Sequence, residues 1–488
     1  MSSELQTDKA HVPYESELRR RWSQAGGSIP DDWKIVTLET LLKDNKSIAV
    51  GVMYPGPDTQ GGIPLIKVGD IKGGLIPQKP NYCISPETNE EHKRTQLIGD
   101  ELLITLVGNP GECVVVTPAM ADWNPARAIA VIRLAEPSLR VYLKTVLESA
   151  AGKHLIDAVL NTTVQKTLNL KDIRQLPVPM PRSETIRAIS SFSEALSDRI
   201  GLLRETNATL EAMAQALFKS WFVDFDPAHA NAAALIPTLL PEGEGLTPPL
   251  PLGEGRGEGV RGDGILPPEL QTLFPATFTE SPQGLVPEGW KWLALDEAYE
   301  LNPKRNLKKG ALAKYLDMAS VGTSGHTAES AINREFGSGT KFINGDTLLA
   351  RITPCLENGK TAFVDFLEED ETGWGSTEFI VMRPKVPLPA YHAYLLARFP
   401  AFREFAIQSM SGTSGRQRVQ NDVLGRYMLA VPDSAVADVF GQAVEAMQQK
   451  IAANHQQAQT LATLRDTLLP RLIAGTLRLP EAALAEVV

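Results

Sequence analysis

The sequence predicts an α+β protein with two β-rich globular domains, each followed by a long α-helix, the two helices pairing as an antiparallel coiled coil. Three observations support this fold class. The chain has 488 residues, enough for two sizeable hydrophobic cores. Several sequence phrases occur twice in the same order. After each copy, apolar side chains recur at heptad spacing over about 40 residues, as in a long helix.

The composition is that of a globular protein. Apolar residues make up 43% of the chain. No apolar run approaches the roughly 20 residues that a transmembrane helix needs, so we expect no contact with a membrane. The N-terminus lacks the apolar segment of a signal peptide. Cys83, Cys113 and Cys355 are scattered without the spacing of metal ligands. We therefore expect a cytoplasmic protein with reduced thiols.

The net charge of −10 disfavours nucleic-acid binding if it is taken for the chain as a whole, because a basic surface is the usual footprint of such binding. It says nothing about how the charge is distributed. Local patches of Lys and Arg, or positive charge on a partner subunit, are compatible with an acidic chain.

The duplicated phrases are the strongest signal in the sequence. They share their order and a nearly constant offset, and the pairs are 29–33 with 286–290, 98–106 with 344–352, 176–181 with 429–432, and 209–217 with 460–468. A repeat of this length is too long for a solenoid, whose units span about 20 to 50 residues. Two units indicate a pseudo-two-fold arrangement, which suits a ligand with two related faces such as duplex DNA.

These phrases predict the domain organisation. In chain order we expect an N-terminal arm (1–28), a first globular domain (29–182), a helical spacer (183–226), a flexible linker rich in Pro, Gly and Glu (227–285), a second globular domain (286–433), a second helical spacer (434–479) and a C-terminal tail (480–488). The Gly-x-Gly-x-Gly pattern in the linker follows no predicted strand, so we do not interpret it as a nucleotide site.

The two helices are predicted from apolar seams. The seam of the first carries Ile189, Leu196, Leu203, Leu210 and Leu217, and that of the second carries Phe440, Met447, Asn454, Leu461 and Leu468. Asn207 lies on a companion seam of the first helix, and a buried asparagine fixes register. Antiparallel pairing would hold the two domains apart by up to about 60 Å. The alternative is that each helix packs on its own globular domain.

No catalytic constellation stands out. Asp58, Asp70 and Lys72 imitate a loose pattern of Mg²⁺-dependent nucleases, but the second copy lacks the lysine. The acidic run at 368–371 is more simply a solvated surface.

Several phrases resemble the specificity subunits of type I restriction–modification systems. They are Gly-Ile-Pro-Leu-Ile-Lys-Val-Gly-Asp-Ile-Lys-Gly-Gly at 62–74, the Gly-Asp-x-Leu-Leu elements, Leu-Pro-Val-Pro-Met-Pro at 176–181, Ala-Leu-Phe-Lys-Ser-Trp-Phe-Val-Asp-Phe-Asp-Pro at 216–227 and Leu-Arg-Asp-Thr-Leu-Leu-Pro-Arg-Leu-Ile-Ala-Gly at 464–475. This chain departs from the pattern in its long linker.

The resemblance implies a non-catalytic subunit with two target recognition domains. Each would recognise one half of a bipartite, asymmetric site in double-stranded DNA. DNA methyltransferase subunits, two of them, would dock near the helices, and motor-nuclease (restriction) subunits would complete the complex. The chain itself would bind no cofactor, since S-adenosylmethionine, ATP and Mg²⁺ are expected on those partners.

Candidate DNA contacts are basic, amide and hydroxyl side chains in predicted loops. In the first domain they are Lys67, Lys72, Lys93, Arg94, Thr163, Gln165 and Lys166. In the second they are Lys304, Arg305, Asn306, Lys308, Lys309, Thr413, Ser414, Arg416, Gln417 and Arg418. For any one residue of the loops at 161–167 and 411–418, a solvated turn is the alternative. Two other functions stay open, namely an adaptor with duplicated protein-binding domains and a self-contained Mg²⁺-dependent endonuclease.

Overall fold

A computed structural model describes residues 15–76, 79–160, 166–239, 266–328, 331–413 and 415–478. The chain forms two compact units, each with its own hydrophobic core. Unit 1 comprises the described residues up to Gly201 and from Gln459 onward, and unit 2 comprises those from Leu202 to Ala458. The fold class is α+β, as the sequence predicts, with short strands and two long helices.

Unit 1 alternates short strands and helices. Their bounds are α1 Glu15–Gln24, β1 Lys34–Thr37, β2 Ile48–Val50, β3 Ile63–Ile66, β4 Cys83–Ile84, α2 Pro86–Glu91, β5 Leu102–Thr105, β6 Cys113–Val115, β7 Asn124–Pro125, β8 Ile129–Ile132, α3 Arg140–Glu148, α4 Ala150–Ala158, α5 Leu170–Arg174, β9 Pro177–Met180 and the start of α6 Ser183–Phe222. The predicted N-terminal arm contains α1, whose Leu18 and Trp22 are buried in the core of unit 1.

The main sheet of unit 1 has the order β2-β8-β5-β6 and is antiparallel. Its central strands β5 and β8 bury every side chain, because α3 and the smaller sheet β4-β3-β7 cover its two faces. β1 pairs with β9, which joins the two ends of the globular part before α6 begins. α2 begins at Ser85, whose hydroxyl accepts a hydrogen bond from the Thr88 amide, with Pro86 at the first helical position.

Unit 2 repeats this arrangement with longer strands. Its elements are α7 Asp226–Leu239, α8 Pro268–Gln271, β10 Phe278–Ser281, β11 Gly284–Pro287, β12 Lys291–Ala294, α9 Leu295–Ala298, β13 Tyr299–Leu301, β14 Leu312–Leu316, β15 Ile332–Glu335, β16 Thr340–Phe342, β17 Thr347–Ala350, β18 Thr361–Phe363, β19 Gly373–Gly375, β20 Phe379–Pro384, α10 Ala390–Arg398, α11 Pro400–Gln408, α12 Asn421–Leu424, β21 Met428–Val431 and α13 Ser434–Ile473.

The sheets of unit 2 correspond to those of unit 1. The order β13-β20-β17-β18 parallels β2-β8-β5-β6, the order β15-β14-β19-β16 extends β4-β3-β7, and β12 pairs with β21 as β1 pairs with β9. The predicted linker interval 227–285 differs from expectation, since it contains nearly all of α7, all of α8 and most of the β10–β11 hairpin. Residues 240–265, which hold its Pro/Gly/Glu-rich centre, lie outside the described residues.

Both predicted long helices are present, as α6 and α13, and the division between the units falls within both. In unit 2 they contact each other in an antiparallel sense, since Asn207 meets Asn454 and Phe222 meets Phe440. Asn454 Nδ2 donates to Asn207 Oδ1 at 2.9 Å, and Asn207 Nδ2 donates to the Ile451 carbonyl at 3.1 Å. The two asparagines therefore satisfy each other at a helix contact.

The predicted seams follow the helix contacts only over part of their length. Ile189, Leu196, Leu203, Phe440 and Asn454 are buried. The other seam positions are half-buried, namely Asn207, Leu210, Leu217, Met447, Leu461 and Leu468. Farther along α6, the buried residues include Ala214 and Trp221, which lie seven and fourteen residues after Asn207 on its companion seam, together with Phe218. The companion seam of α6 therefore stays on the buried face of the helix where the first seam does not.

In the described part of the chain, no helix combines the length and hydropathy that a bilayer span requires.

Candidate nucleic-acid interface

Each unit has one buried carboxylate that anchors the loop leading into its main sheet. In unit 1, Glu101 accepts from the amides of residues 98–100 and from Arg133 Nε at 3.2 Å. In unit 2, Asp346 accepts from the Ile343 amide at 2.8 Å and from Arg383 Nε at 2.5 Å. Strand register places Glu101 and Asp346 at equivalent positions, opposite the two arginines. Aligning the phrases 98–106 and 344–352 by sequence pairs Asp100 with Asp346, so the structural correspondence is shifted by one residue.

The smaller sheets also correspond. β3 is antiparallel to β4 and parallel to β7, just as β14 is antiparallel to β15 and parallel to β19. Each carries a basic side chain over an aromatic ring. Lys67 Nζ lies 3.3 Å from the Tyr82 ring centroid in unit 1, and the Arg334 guanidinium lies 4.8 Å from that of Tyr315 in unit 2.

Of the other candidates in unit 1, some are exposed and some have structural partners. Lys72 and Lys166 are exposed. Lys93 forms an exposed ion pair with Glu90 at 2.7 Å. That hydrogen bond raises the pKa of the lysine. The Arg94 guanidinium donates to the carbonyl of Lys46 at 2.8 Å and so ties two loops together. Thr163 and Gln165 lie outside the described residues.

The carboxylates that imitate a nuclease pattern accept hydrogen bonds from backbone amides. Asp58 Oδ1 accepts from the Cys83 amide at 2.8 Å, and Asp70 Oδ2 accepts from the Lys67 amide at 2.7 Å. Within the described ranges, no group of three or more His, Cys, Asp or Glu side chains could hold a metal ion. The geometry of these carboxylates supports loop capping rather than metal chemistry.

The basic loop of unit 2 divides into one anchored and several exposed side chains. Arg305 Nη2 lies 3.3 Å from Asp346 Oδ1, so it shares the buried carboxylate with Arg383. This contact fixes the loop and occupies a guanidinium that the sequence assigns to DNA. The exposed members of the loop are Lys304, Asn306, Lys308 and Lys309.

The second candidate loop of unit 2 shows the same division. Arg418 is bound to Glu378 through three hydrogen bonds of 2.6 to 3.0 Å. The Arg418 side chain lowers the pKa of Glu378. Thr413 and Arg416 are exposed and Gln417 is half-buried, whereas Ser414 lies outside the described residues. Arg416 is therefore the loop's stronger candidate for a DNA contact.

Sequence reasoning missed a polar pocket of about 410 Å³ at the open end of β15 and β19. The side chains around it include Tyr315, Arg334, Glu335 and Trp374, with hydroxyls from Ser338, Ser376 and Thr377. Gly375 follows Trp374, and a Cβ there would lie 2.5 Å from the Leu316 carbonyl oxygen. A signal was present in the sequence, because Ile-Asn-Arg-Glu at 332–335 combines amide, basic and acidic groups. Its short polar pattern alone does not predict an exposed edge strand.

The buried histidines of unit 2 serve its core. His326 bridges Tyr391 and Asp365, with Nε2 lying 3.1 Å from Asp365 Oδ2, and the ring is fully buried. Burial lowers the pKa of His392 to about 3, so its ring is neutral, and its Nδ1 shares a hydrogen bond with the Tyr299 hydroxyl. Neither histidine is exposed enough to meet a substrate.

Comparison with known proteins supports the predicted resemblance. No family model matches the chain. The chain is 28% identical over 234 residues to the EcoBI type I restriction enzyme specificity subunit of Escherichia coli, covering 44% of this chain and 48% of that protein. It is 24% identical over 366 residues to the HindI specificity subunit of Haemophilus influenzae, covering 68% and 74%. The matched part therefore spans about half the length of the first relative.

A type I restriction–modification S subunit from M. genitalium is similar in structure, with a TM-score of 0.48, 14% identity and coverage of 91% of this chain and 97% of that one. The proteins that this chain resembles in sequence are type I specificity subunits, as the phrases quoted above for that resemblance predict.

Proposed function

We propose that this chain is the DNA-recognising specificity subunit of a type I restriction–modification complex. Each globular unit recognises one half of a bipartite, asymmetric site in duplex DNA. The observation that carries the proposal is the duplication itself, in which two units share strand order and carboxylate anchors but differ in their exposed side chains. One framework with two sets of contacts suits a site made of two different halves.

The long helices supply the spacing between half-sites and a docking surface for methyltransferase subunits. The interhelical contacts in unit 2 support this role, because Asn207 and Asn454 pair only in one register. A fixed register gives a defined separation, which a bipartite site with a constant gap requires.

Catalysis belongs to the partner subunits. The resemblance to type I specificity subunits supports this division, and the buried histidines and the Asp58 and Asp70 carboxylates are held by structural hydrogen bonds. S-adenosylmethionine, ATP and Mg²⁺ are then bound by the methyltransferase and restriction subunits.

Methylome sequencing of cells with and without this chain, each expressing the methyltransferase subunit, tests the proposal. We expect methylated adenine in a split sequence with a constant unspecific gap, only when the chain is present. The complex should also bind that duplex with strong salt dependence. No sequence-dependent methylation and no salt-dependent affinity would favour an adaptor that binds other proteins.

A further inference from the structure

Arg334 is held in place by aromatic rings rather than by a carboxylate. Its guanidinium carbon lies 4.8 Å from the Tyr315 ring centroid and 5.7 Å from that of Trp374. The two rings lie 4.4 Å apart, and Trp374 Nε1 donates to the Arg334 carbonyl at 3.4 Å. Trp374 is buried, so the platform beneath the guanidinium is rigid.

The guanidinium N–H groups of Arg334 have no acceptor among the residues that the structure describes. Three other arginines of unit 2 differ, because Arg305 and Arg383 share Asp346 and Arg418 is bound to Glu378. A guanidinium stacked on rings keeps the N–H groups at its edge available for a ligand. Its position is fixed in advance, which lowers the entropy lost on binding.

The strand that carries Arg334 is open to a ligand. β15 is the edge strand of its sheet, and all four of its residues are exposed. A pair of antiparallel strands such as β14 and β15 fits the major groove of B-DNA. The pocket beside Arg334 also contains the Glu335 carboxylate and several hydroxyls. A carboxylate repels a phosphate, whereas a base edge offers both donors and acceptors, so this lining favours a base.

We infer that Arg334 recognises a guanine in the major groove of the half-site bound by unit 2, donating two parallel hydrogen bonds to O6 and N7. Arginine fits these two acceptors of guanine bidentately. The inference rests on the proposed function and adds the residue and the base. It predicts that the half-site of unit 2 contains a G·C pair that only Arg334 discriminates.

The test uses the complex assembled with its methyltransferase subunits, and duplexes that contain the recognition sequence identified from the methylome. Arg334→Ala is expected to weaken binding to the cognate duplex by roughly 10- to 100-fold while leaving binding to an unrelated duplex unchanged. Its methylome should accept other base pairs at one position of one half-site. Arg426→Ala is the matched control, because Arg426 is a surface arginine 73% exposed, with only a 3.8 Å contact to Asp422.

Duplexes with 7-deazaguanine at single positions identify the contact directly, since this base lacks the N7 acceptor. The wild-type complex should lose affinity at one guanine, and Arg334→Ala should be insensitive there. Arg334→Lys keeps the charge but not the planar fork, so it should resemble Arg334→Ala.

Three results would overturn the inference. They are equal losses by Arg334→Ala on cognate and unrelated duplexes, no effect of the substitution on either, and a deazaguanine response that persists in the variant. Melting of each variant checks that unit 2 is folded. A wild-type complex without any sequence preference would refute the proposed function itself, which separates the two failures.

Discussion

The two units differ most where their smaller sheets face outward. In unit 1, α2 follows β4, and its Asn89 Oδ1 accepts from Asn124 Nδ2 at 2.9 Å. Asn124 lies on β7 and is fully buried. In unit 2, the chain after β15 runs directly to β16, and the equivalent strand β19 presents Trp374 beside an open pocket. The same strand arrangement is therefore covered by a helix in unit 1 and borders an open pocket in unit 2.

The difference shows that the sheets do not dictate the chemistry of the surface. Both units keep the same strand pairings and a buried carboxylate at the same register position. They place a cation over a ring in different ways, with Lys67 over Tyr82 in unit 1 and Arg334 over Tyr315 in unit 2. Stability comes from shared positions, and we propose that recognition depends on residues that the framework leaves variable.

Removing the buried carboxylate of one unit should destabilise that unit and leave the other unchanged. Asp346→Ala leaves Arg305 and Arg383 without their buried partner, and Glu101→Ala does the same to Arg133. We expect each substitution to lower the free energy of unfolding of its own unit by about 3 kcal/mol. Urea unfolding of the whole chain, with limited proteolysis reporting which unit has unfolded at each urea concentration, measures the two free energies of unfolding.

Asp346→Asn is the control, because it keeps acceptor oxygen and volume and should cost less than Asp346→Ala. Equal destabilisation of both units by either alanine substitution would contradict the independence of the two cores.

The two-unit organisation and the long helices could be predicted from the sequence, because duplicated phrases and hydrophobic periodicity are visible in short stretches of it. The phrases at 98–106 and 344–352 do contain the anchoring carboxylates, and both long helices follow from heptad spacing. The surface contacts were harder to predict. Arg305 and Arg418 look free in sequence, yet each meets a carboxylate at least 40 residues away along the chain. Local pattern carries no information about such long-range pairs.

The helices offer a second comparison. In unit 2 their contact includes the Asn207–Asn454 pair, whereas in unit 1 Ile186 and Ile189 of α6 share an apolar core with Leu472 and Ile473 of α13. Asn454→Leu should destabilise unit 2 by about 1 to 2 kcal/mol, because Asn207 Oδ1 loses its donor.

Asn207→Leu combined with Asn454→Leu should recover most of that loss, since two apolar residues can pack where one unpaired amide cannot. Gln449→Leu, on the exposed side of α13, is the control for the added side chain. Urea denaturation gives the coupling energy, and additive losses in the double variant would show that the two amides do not depend on each other.

The smallest effects are expected in the loop at 411–418, where two nearby arginines have different surroundings. Arg416→Ala should weaken binding to the cognate duplex roughly fivefold and leave stability unchanged, because Arg416 is exposed.

Arg418→Ala should instead reduce stability. Its partner Glu378 has a pKa lowered by that hydrogen bond, so the contribution is fully present above the ordinary glutamate value of 4.5 and is lost progressively as the pH falls from there through the lowered value. Unfolding at pH 7 and pH 3.5 should therefore show a difference between wild type and Arg418→Ala that shrinks with acid. If Arg418→Ala changed affinity alone, with the same stability at both pH values, its guanidinium would contact DNA after all, and the division between anchoring and DNA-contacting arginines would have to be redrawn.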